Sequence, residues 1–246
     1  MNASLQLLLE HRSFRDYTEQ AVSDGDLDAI IEAAHRAPSS INGQQVSLVV
    51  VRNPATRTRI SEIAGNQPWI VKAPVFICVV IDFAKTGTAM ERAGETQIIH
   101  ESLEGFAVGA LDSGIVLATL MAAARALGLG IVPIGGIRND PQAMIDLLEL
   151  PPMTFPIVGC CIGHIASTPP LKPRLPGNTF RHDEKWQGVP DAATIAAYDA
   201  ELMAYWQSLG RTDGLPWVEN TASRYKRVYF PKTKPVAASQ GFLVDK

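Results

Sequence analysis

The sequence has little cysteine, no excess of basic charge and no long uninterrupted hydrophobic run. Its 246 residues include three cysteines, and 22 basic against 25 acidic residues leave a net charge of −3. Three cysteines without a Cys-x-x-Cys pair predict neither a disulfide framework nor a zinc site. Without a basic excess there is no general attraction for nucleic acid, so any anion site must be built locally.

The sequence also lacks a recognisable targeting segment and a membrane span. The first residues have no basic cluster, and the longest apolar stretch, 107–129, is interrupted by Asp112, Ser113 and Arg125. Such a stretch is typical of a buried helix rather than of a transmembrane one. We therefore expect a cytoplasmic protein that binds neither membranes nor nucleic acids.

No Rossmann fingerprint is present, because Gly128-x-Gly130 is not followed by a third glycine. A nicotinamide nucleotide is therefore not expected to bind in a Rossmann crevice. The histidines show no metal-ligand spacing with one another or with acidic residues, so no metal site is predicted.

Periodicity and capping signals predict an alternation of helices and four strands. The strands are expected at 46–51, 75–81, 130–134 and 155–162, and the helices at about 5–10, from 24, from 54, at 107–127, 141–148 and 191–206. The segment 85–101 shows no clear period and predicts a loop or short irregular helices. Beyond Gly210 the sequence is polar and weakly patterned.

Two separated segments concentrate cations. His11-Arg12-Ser13-Phe14-Arg15 follows a short apolar helix and holds more donors than a helix C-terminus needs. Prolines stiffen the later segment Leu171-Lys172-Pro173-Arg174-Leu175-Pro176, so Lys172 and Arg174 can share one face of an extended chain. Each segment could clamp a phosphate, and each could equally be a solvated basic turn or connection.

Together with Ala64-Gly65-Asn66-Gln67-Pro68 and the segment from Gly128 to Asn139, these motifs stand in an order that resembles the nitroreductase superfamily. Within it, the chain looks like the branch of NADPH-dependent flavin reductases and oxygen-insensitive major nitroreductases. The resemblance implies an α+β fold with a central, mainly antiparallel sheet flanked by helices. It also implies an intertwined homodimer and one nitroreductase-like domain over 1–246, in which 180–246 is a C-terminal extension packing on the partner subunit.

The resemblance further implies FMN as cofactor and assigns residues to it. The expected cofactor-binding residues are His11, Arg12, Ser13, Arg15, Ser39, Ser40, Asn42, Gln44, Gln67, Ile134, Gly135, Gly136, Lys172 and Arg174. The backbone at Gly135-Gly136 is expected near N5 of the flavin, because two glycines allow close approach to a flat ligand. The same pair could simply form a tight turn. The polar loop 38–45 is expected to reach the partner's flavin.

The implied activity is hydride transfer from NADPH, or NADH, to FMN and then to nitroaromatics, quinones or free flavin by a ping-pong mechanism. No protein side chain is expected to act as a catalytic residue. Arg138 and Arg211 are the predicted contacts of the NADPH phosphate, although exposed cations are often only solvated. The alternatives are an enzyme of the same fold with a dedicated metabolite substrate, and a non-catalytic FMN-binding protein.

Overall fold

The computed structural model describes residues 2–242, which form a four-stranded antiparallel sheet with helices packed around it. The strands are β1 (Val46–Val51), β2 (Val75–Asp82), β3 (Gly130–Ile134) and β4 (Thr154–Gly163), in the spatial order β1-β2-β4-β3. The predicted fold class, α+β with a central antiparallel sheet, is confirmed.

Helices account for most of the remaining regular structure. Within residues 2–242 they are α1 (Ala3–Leu9), α2 (Asp24–His35), α3 (Pro54–Ile63), α4 (Pro68–Lys72), α5 (Ala84–Ala93), α6 (Leu103–Ala126), α7 (Pro141–Leu148), α8 (Ala192–Ser208), α9 (Trp217–Tyr225) and α10 (Thr233–Ser239). The sequence predicted no regular helix at 85–101, so α5 is a correction. Helices α9 and α10 also went unpredicted.

Side-chain caps fix several helix starts, as the sequence suggested. Ser23 accepts the Asp26 backbone N–H at 3.0 Å, and Asn53 accepts those of Ala55 and Thr56. Such caps satisfy amide groups that have no partner inside the helix. The helix boundaries at these positions are therefore determined locally.

The two central strands are buried on both faces, and the cysteines belong to this core. Cys161 packs in the hydrophobic cluster on one face of the sheet and Cys160 in the cluster on the other. Adjacent strand residues point to opposite faces, which explains the split. Burial raises the pKa of Cys160 to about 12, so this thiol is unreactive at neutral pH.

Helix α6 packs on α2 and on the sheet, yet much of its apolar surface stays exposed. By length and composition alone it could cross a membrane. Its exposed apolar positions form one stripe: Leu103, Ala107, Leu111, Gly114 and Ala118. Their spacing of three and four residues places them on a single face.

The described residues divide into two compact units. The first contains the chain up to Pro169 together with the residues from Phe230 onward, and the second runs from Pro170 to Tyr229. Ala237 and Phe242 are fully buried against Phe83 and Phe155 in the first unit. Within the predicted extension 180–246, residues 230–242 thus belong to the first unit of their own chain, and residues 243–246 lie outside the described residues. Packing of the extension on a partner stays a prediction.

Candidate functional site

The first cationic motif runs along the outer edge of β3. The Phe14 backbone N–H donates to Ile131 O at 3.2 Å, and the Tyr17 hydroxyl donates to Phe14 O at 2.6 Å. A Cβ on Gly130 would lie 2.9 Å from the Phe14 Cβ, so glycine is needed for this close approach. The segment His11–Arg15 is therefore held in place by the sheet edge and is not a loose solvated turn.

Arg12 has donor capacity that the described residues do not use. Its Nη1 donates to Glu10 O at 2.6 Å, but its Nε is buried and finds no acceptor among residues 2–242. A buried donor without a partner is costly, about 1–3 kcal/mol. This is the type of group that a bound anion would satisfy.

A second guanidinium lies beside this motif, and sequence reasoning missed it. Arg125 of α6 lies 4.6 Å over the Phe14 ring. Burial, followed by the charge of Arg12, lowers the pKa of Arg125, while Glu10 raises it. The neighbouring cations create a local positive potential in a chain that is acidic overall. The sequence signal for Arg125 was that a charged residue interrupts the apolar stretch of α6.

Arg15 connects the motif to α4. Its guanidinium lies 5.3 Å from the centre of the Trp69 ring, and Trp69 follows the predicted flavin contact Gln67 by two residues. His11, Arg12 and Ser13 are half-buried, whereas Arg15 is exposed. The aromatic contact holds the Arg15 guanidinium without neutralising its charge.

The predicted ring-binding groups meet at the other end of β3. Gly135 and Gly136 open a 3-10 turn, Gly135–Asn139, directly after the strand. A Cβ on Gly136 would clash with Gln67 Nε2 and lie 2.7 Å from Ala64 O. Gln67 Nε2 itself donates to Ala64 O at 2.8 Å. Ile134 is 1% exposed and packs in the hydrophobic core.

Arg138, a predicted NADPH contact, is held by groups of its own unit. Its Nη1 donates to Ile157 O, and its guanidinium lies 5.0 Å over the Phe230 ring. Both contacts hold the guanidinium at the end of β3 that carries the glycine pair.

The polar loop 38–45 lies at the opposite edge of the sheet. It leads into β1, which is separated from β3 by two strands, or about 14 Å at the usual strand spacing. The structure therefore does not bring Ser39, Ser40, Asn42 and Gln44 together with Gly136 within one chain.

This loop has an unusual backbone that is tied to α6. Ile41, Asn42 and Gln44 have φ values of 50°, 57° and 55°, a region that a β-branched residue such as isoleucine rarely adopts. The buried Asp112 carboxylate accepts the Ser40 N–H at 3.1 Å and Gln45 Nε2 at 2.5 Å. Asp112 is thus a second residue whose role the sequence did not reveal, because it looked like an interruption of the apolar stretch.

An apolar cavity of about 790 Å³ opens between this loop and α5. Lys85 of α5 donates to Gln44 O and Val46 O, both at 3.0 Å, and joins the helix to the loop. Ile41, 98% exposed, stands at the cavity wall. The cavity has a size suited to a small organic molecule.

The second unit contains the other predicted cations. Lys172 Nζ lies 4.9 Å over the Trp206 ring, and Arg174 Nη1 is 3.3 Å from both Lys172 O and Pro173 O. Arg211 lies 4.6 Å over the same ring and makes a bidentate pair with Asp213 at 3.0 and 2.8 Å. Lys172 and Arg174 are both exposed.

The chain has clear relatives. Residues 8–164 match the profile described as Nitroreductase family, and residues 172–245 match that of the Nitroreductase family, C-terminal domain. Over 251 residues the chain is 43% identical to an FMN reductase (NAD(P)H) of Bacillus subtilis, with both proteins covered in full. It is 33% identical over 214 residues to an oxygen-insensitive NADPH nitroreductase of Salmonella typhimurium, covering 85% of each.

The similarity extends to solved structures. The solved structure of NfrA2 from B. megaterium is similar with a TM-score of 0.96 at 40% identity, and both chains are covered completely. Similarity at this level extends over both units of the chain. The chain therefore belongs to the nitroreductase family.

Proposed function

We propose that this protein is an FMN-dependent oxidoreductase that transfers hydride from NADPH, or NADH, to nitroaromatics, quinones or free flavin. The similar proteins of B. subtilis and S. typhimurium are named as an FMN reductase and a nitroreductase. These names do not favour the alternatives of a dedicated metabolite enzyme or a non-catalytic flavin carrier.

One observation carries the proposal. The cationic groups that could bind a phosphate lie at one end of β3, and the glycine pair that could contact the flavin ring lies at the other. Ile131, beside the cationic motif, and Gly135, at the glycine pair, are four residues apart, or about 13 Å along a strand. A ligand with an anionic tail and a flat head could extend along this edge.

The residues present fit such a cofactor. At one end, Arg12 Nε has no acceptor among the described residues, and His11, Ser13 and Arg15 add donors for phosphate oxygens. We assign Lys172 and Arg174 of the second unit to the same phosphate, as the resemblance implies.

At the other end, we assign the backbone of Gly135 and Gly136 to the flavin ring near N5, in a turn where only glycine fits at position 136 between the Gln67 amide and Ala64 O. The Gln67 amide beside them can both donate and accept hydrogen bonds.

FMN supplies the hydride chemistry when bound. The glycine pair and Gln67 would orient the ring, the cationic residues would hold the phosphate, and donor and acceptor would use the same site in turn. Because both substrates use the same place in turn, ping-pong kinetics follow. We assign the NADPH phosphate to Arg138 and Arg211.

We further propose a homodimer, in which the loop 38–45 serves the partner's flavin. The loop lies at the opposite sheet edge from Gly136, which supports a role at the partner's flavin. The exposed apolar stripe of α6 offers a surface for the partner. The three cysteines are buried and reduced, which suits a cytoplasmic location.

The purified full-length protein tests the proposal directly. We expect a yellow protein with one FMN per chain whose flavin absorbance bleaches when NADPH or NADH is added without air. Adding a quinone should restore the colour, and initial rates should give parallel lines in double-reciprocal plots. A colourless protein that takes up no FMN, or a flavin that neither nucleotide reduces, would contradict the proposal.

A further inference from the structure

Helix α8 places three aromatic side chains under the cationic segment of the second unit. Tyr198, Tyr205 and Trp206 are spaced seven and eight residues apart and so lie on one helix face, together with the buried Leu202. Tyr198 is 7% exposed. The segment above them, residues 170–175, belongs to no helix or strand.

Both tyrosine hydroxyls bind the backbone of that segment. The Tyr198 hydroxyl donates to Pro173 O at 3.1 Å, and the Tyr205 hydroxyl donates to Pro170 O at 3.2 Å. The two accepting carbonyls flank Lys172, and Pro173 directly precedes Arg174. Burial raises the pKa of the Tyr198 phenol, so its hydroxyl stays protonated and continues to donate.

Trp206 contacts the Lys172 ammonium itself. An aromatic face attracts a cation, so the Trp206 ring favours one position of the Lys172 ammonium. Arg211 lies over the same ring and is also paired with Asp213. The Trp206 indole is in turn fixed by its Nε1–H bond to Leu215 O at 3.2 Å, and a Cβ on Gly214 would clash with it.

We propose that Tyr198, Tyr205 and Trp206 are positioning residues that hold Lys172 and Arg174 ready for the cofactor phosphate. The inference rests on the proposed function, because it takes the anion to be the phosphate of FMN. The two hydroxyls fix the backbone on both sides of Lys172, and the indole orients its ammonium. These contacts order the two long cationic side chains already in the unbound protein. Binding of the anion therefore costs less conformational entropy.

The proposal predicts a selective effect on the phosphate. Riboflavin has the same ring and ribityl chain as FMN but lacks the phosphate, so the ratio of the two affinities reports the phosphate contacts alone. In the double variant Tyr198→Phe/Tyr205→Phe we expect the preference for FMN over riboflavin to fall about ten-fold. Riboflavin affinity should stay at its native value. Trp206→Phe should lower the same preference by a smaller factor, because phenylalanine is a weaker cation acceptor.

The measurement is flavin fluorescence titration of the full-length protein after removal of its flavin. The matched control is Tyr225→Phe, which removes the hydroxyl of a 73% exposed tyrosine in the same unit. Thermal melts identify any variant that fails to fold. If the double variant does not fold, the same titrations are made with the single variant Tyr205→Phe, which changes a partly exposed position.

The outcomes separate this inference from the proposed function. If the native protein binds no FMN, both are overturned. If Lys172→Ala/Arg174→Ala lowers the FMN preference but the tyrosine variants leave it unchanged, only the positioning role is overturned. If the tyrosine variants weaken FMN and riboflavin equally, the tyrosines merely stabilise the unit and the inference is overturned. If Lys172→Ala/Arg174→Ala leaves the preference unchanged, these cations do not bind the phosphate and the inference is overturned.

Discussion

In the flavin-free protein, two features of Arg12 in the first cationic motif are energetically unfavourable. Arg12 Nε is buried and has no acceptor within residues 2–242, and the Arg12 charge acts on the nearby Arg125. Both features destabilise the protein until an anion is present. Ligand-binding residues commonly show this conflict between stability and function.

Arg12→Ala should therefore change stability and cofactor affinity in opposite directions. We expect the flavin-free variant to be at least as stable as the native protein, because an unsatisfied donor and a like-charge contact are removed. FMN affinity should fall about ten- to a hundred-fold, the effect of losing charge-assisted bonds. Thermal melts and FMN titration measure the two effects.

The control is Arg36→Ala, which removes an exposed arginine paired with Glu32 on α2. Its FMN affinity should equal the native value. A lower melting temperature for flavin-free Arg12→Ala, with unchanged FMN affinity, would show that Arg12 is structural.

Gly136→Ala tests the ring end of the site. The added Cβ would clash with the Gln67 amide and lie 2.7 Å from Ala64 O, which is backbone and cannot easily move. We expect FMN and riboflavin affinities to fall together, by about ten-fold or more, because the ring and not the phosphate is displaced. In the matched control Gly25→Ala, the new Cβ meets no atom of the described residues within 4 Å, so binding should be native. Full FMN affinity in Gly136→Ala would remove this turn from the site.

The nucleotide preference tests Arg138. If its guanidinium meets the 2′-phosphate, NADPH should be preferred to NADH by at least about ten-fold in kcat/KM, or about 1.4 kcal/mol. Arg138→Ala should reduce this preference, and added salt should weaken it in the native enzyme. Because Arg138 also binds Ile157 O, an equal loss with both nucleotides would identify it as a structural anchor.

At the scale of elements, the loop 38–45 depends on α6 for its conformation. Three non-glycine residues with positive φ cost of order 1–3 kcal/mol each and persist only when their surroundings enforce them. The Asp112 carboxylate does so through Ser40 and Gln45. Removing this acceptor leaves two donors unsatisfied.

We expect Asp112→Ala to weaken FMN and riboflavin by the same factor, because the loop is proposed to contact the ring and ribityl chain. The FMN-to-riboflavin preference should stay native, in contrast to the tyrosine variants of α8. Asp112→Asn, which keeps one acceptor oxygen, should restore most of the affinity. The flavin titrations decide this, and a selective loss of FMN alone would contradict the proposed role of the loop.

The elements also show what the sequence could predict. The four strands and the capped helices were predicted because β-branched runs and N-cap residues are local signals. Helix α5 was missed because its order depends on tertiary contacts, such as the Thr86 hydroxyl bond to Gln97. Helix α10 likewise depends on burying Ala237 among distant aromatic residues.

Residues of the functional site that depend on tertiary contacts were also not predicted from the sequence. Motifs revealed its glycines and several of its cations, but Arg125 and Asp112 looked like mere interruptions of an apolar helix. Their roles come from neighbours far away in sequence, Phe14 for Arg125 and Gln45 for Asp112. No local pattern reports such contacts.

For the whole molecule, the exposed stripe on α6 predicts how two chains associate. Leu103 and Leu111 are 74% and 66% exposed, and the small residues Ala107, Gly114 and Ala118 between and beyond them would permit close helix packing. An intertwined dimer would bury more than about 2,000 Å² in total. We expect light scattering to find a dimer at micromolar concentration.

Leu111→Glu should break this dimer, because a carboxylate in the apolar contact would lose its hydration without gaining a cation. Ala29→Glu adds the same charge to an exposed position of α2 and should leave the dimer intact. If the loop 38–45 serves the partner's flavin, the monomeric Leu111→Glu chain should also lose affinity for FMN and riboflavin alike. A folded Leu111→Glu monomer that keeps native flavin affinity would show that each chain holds its flavin alone, because the site would then need nothing from a second copy.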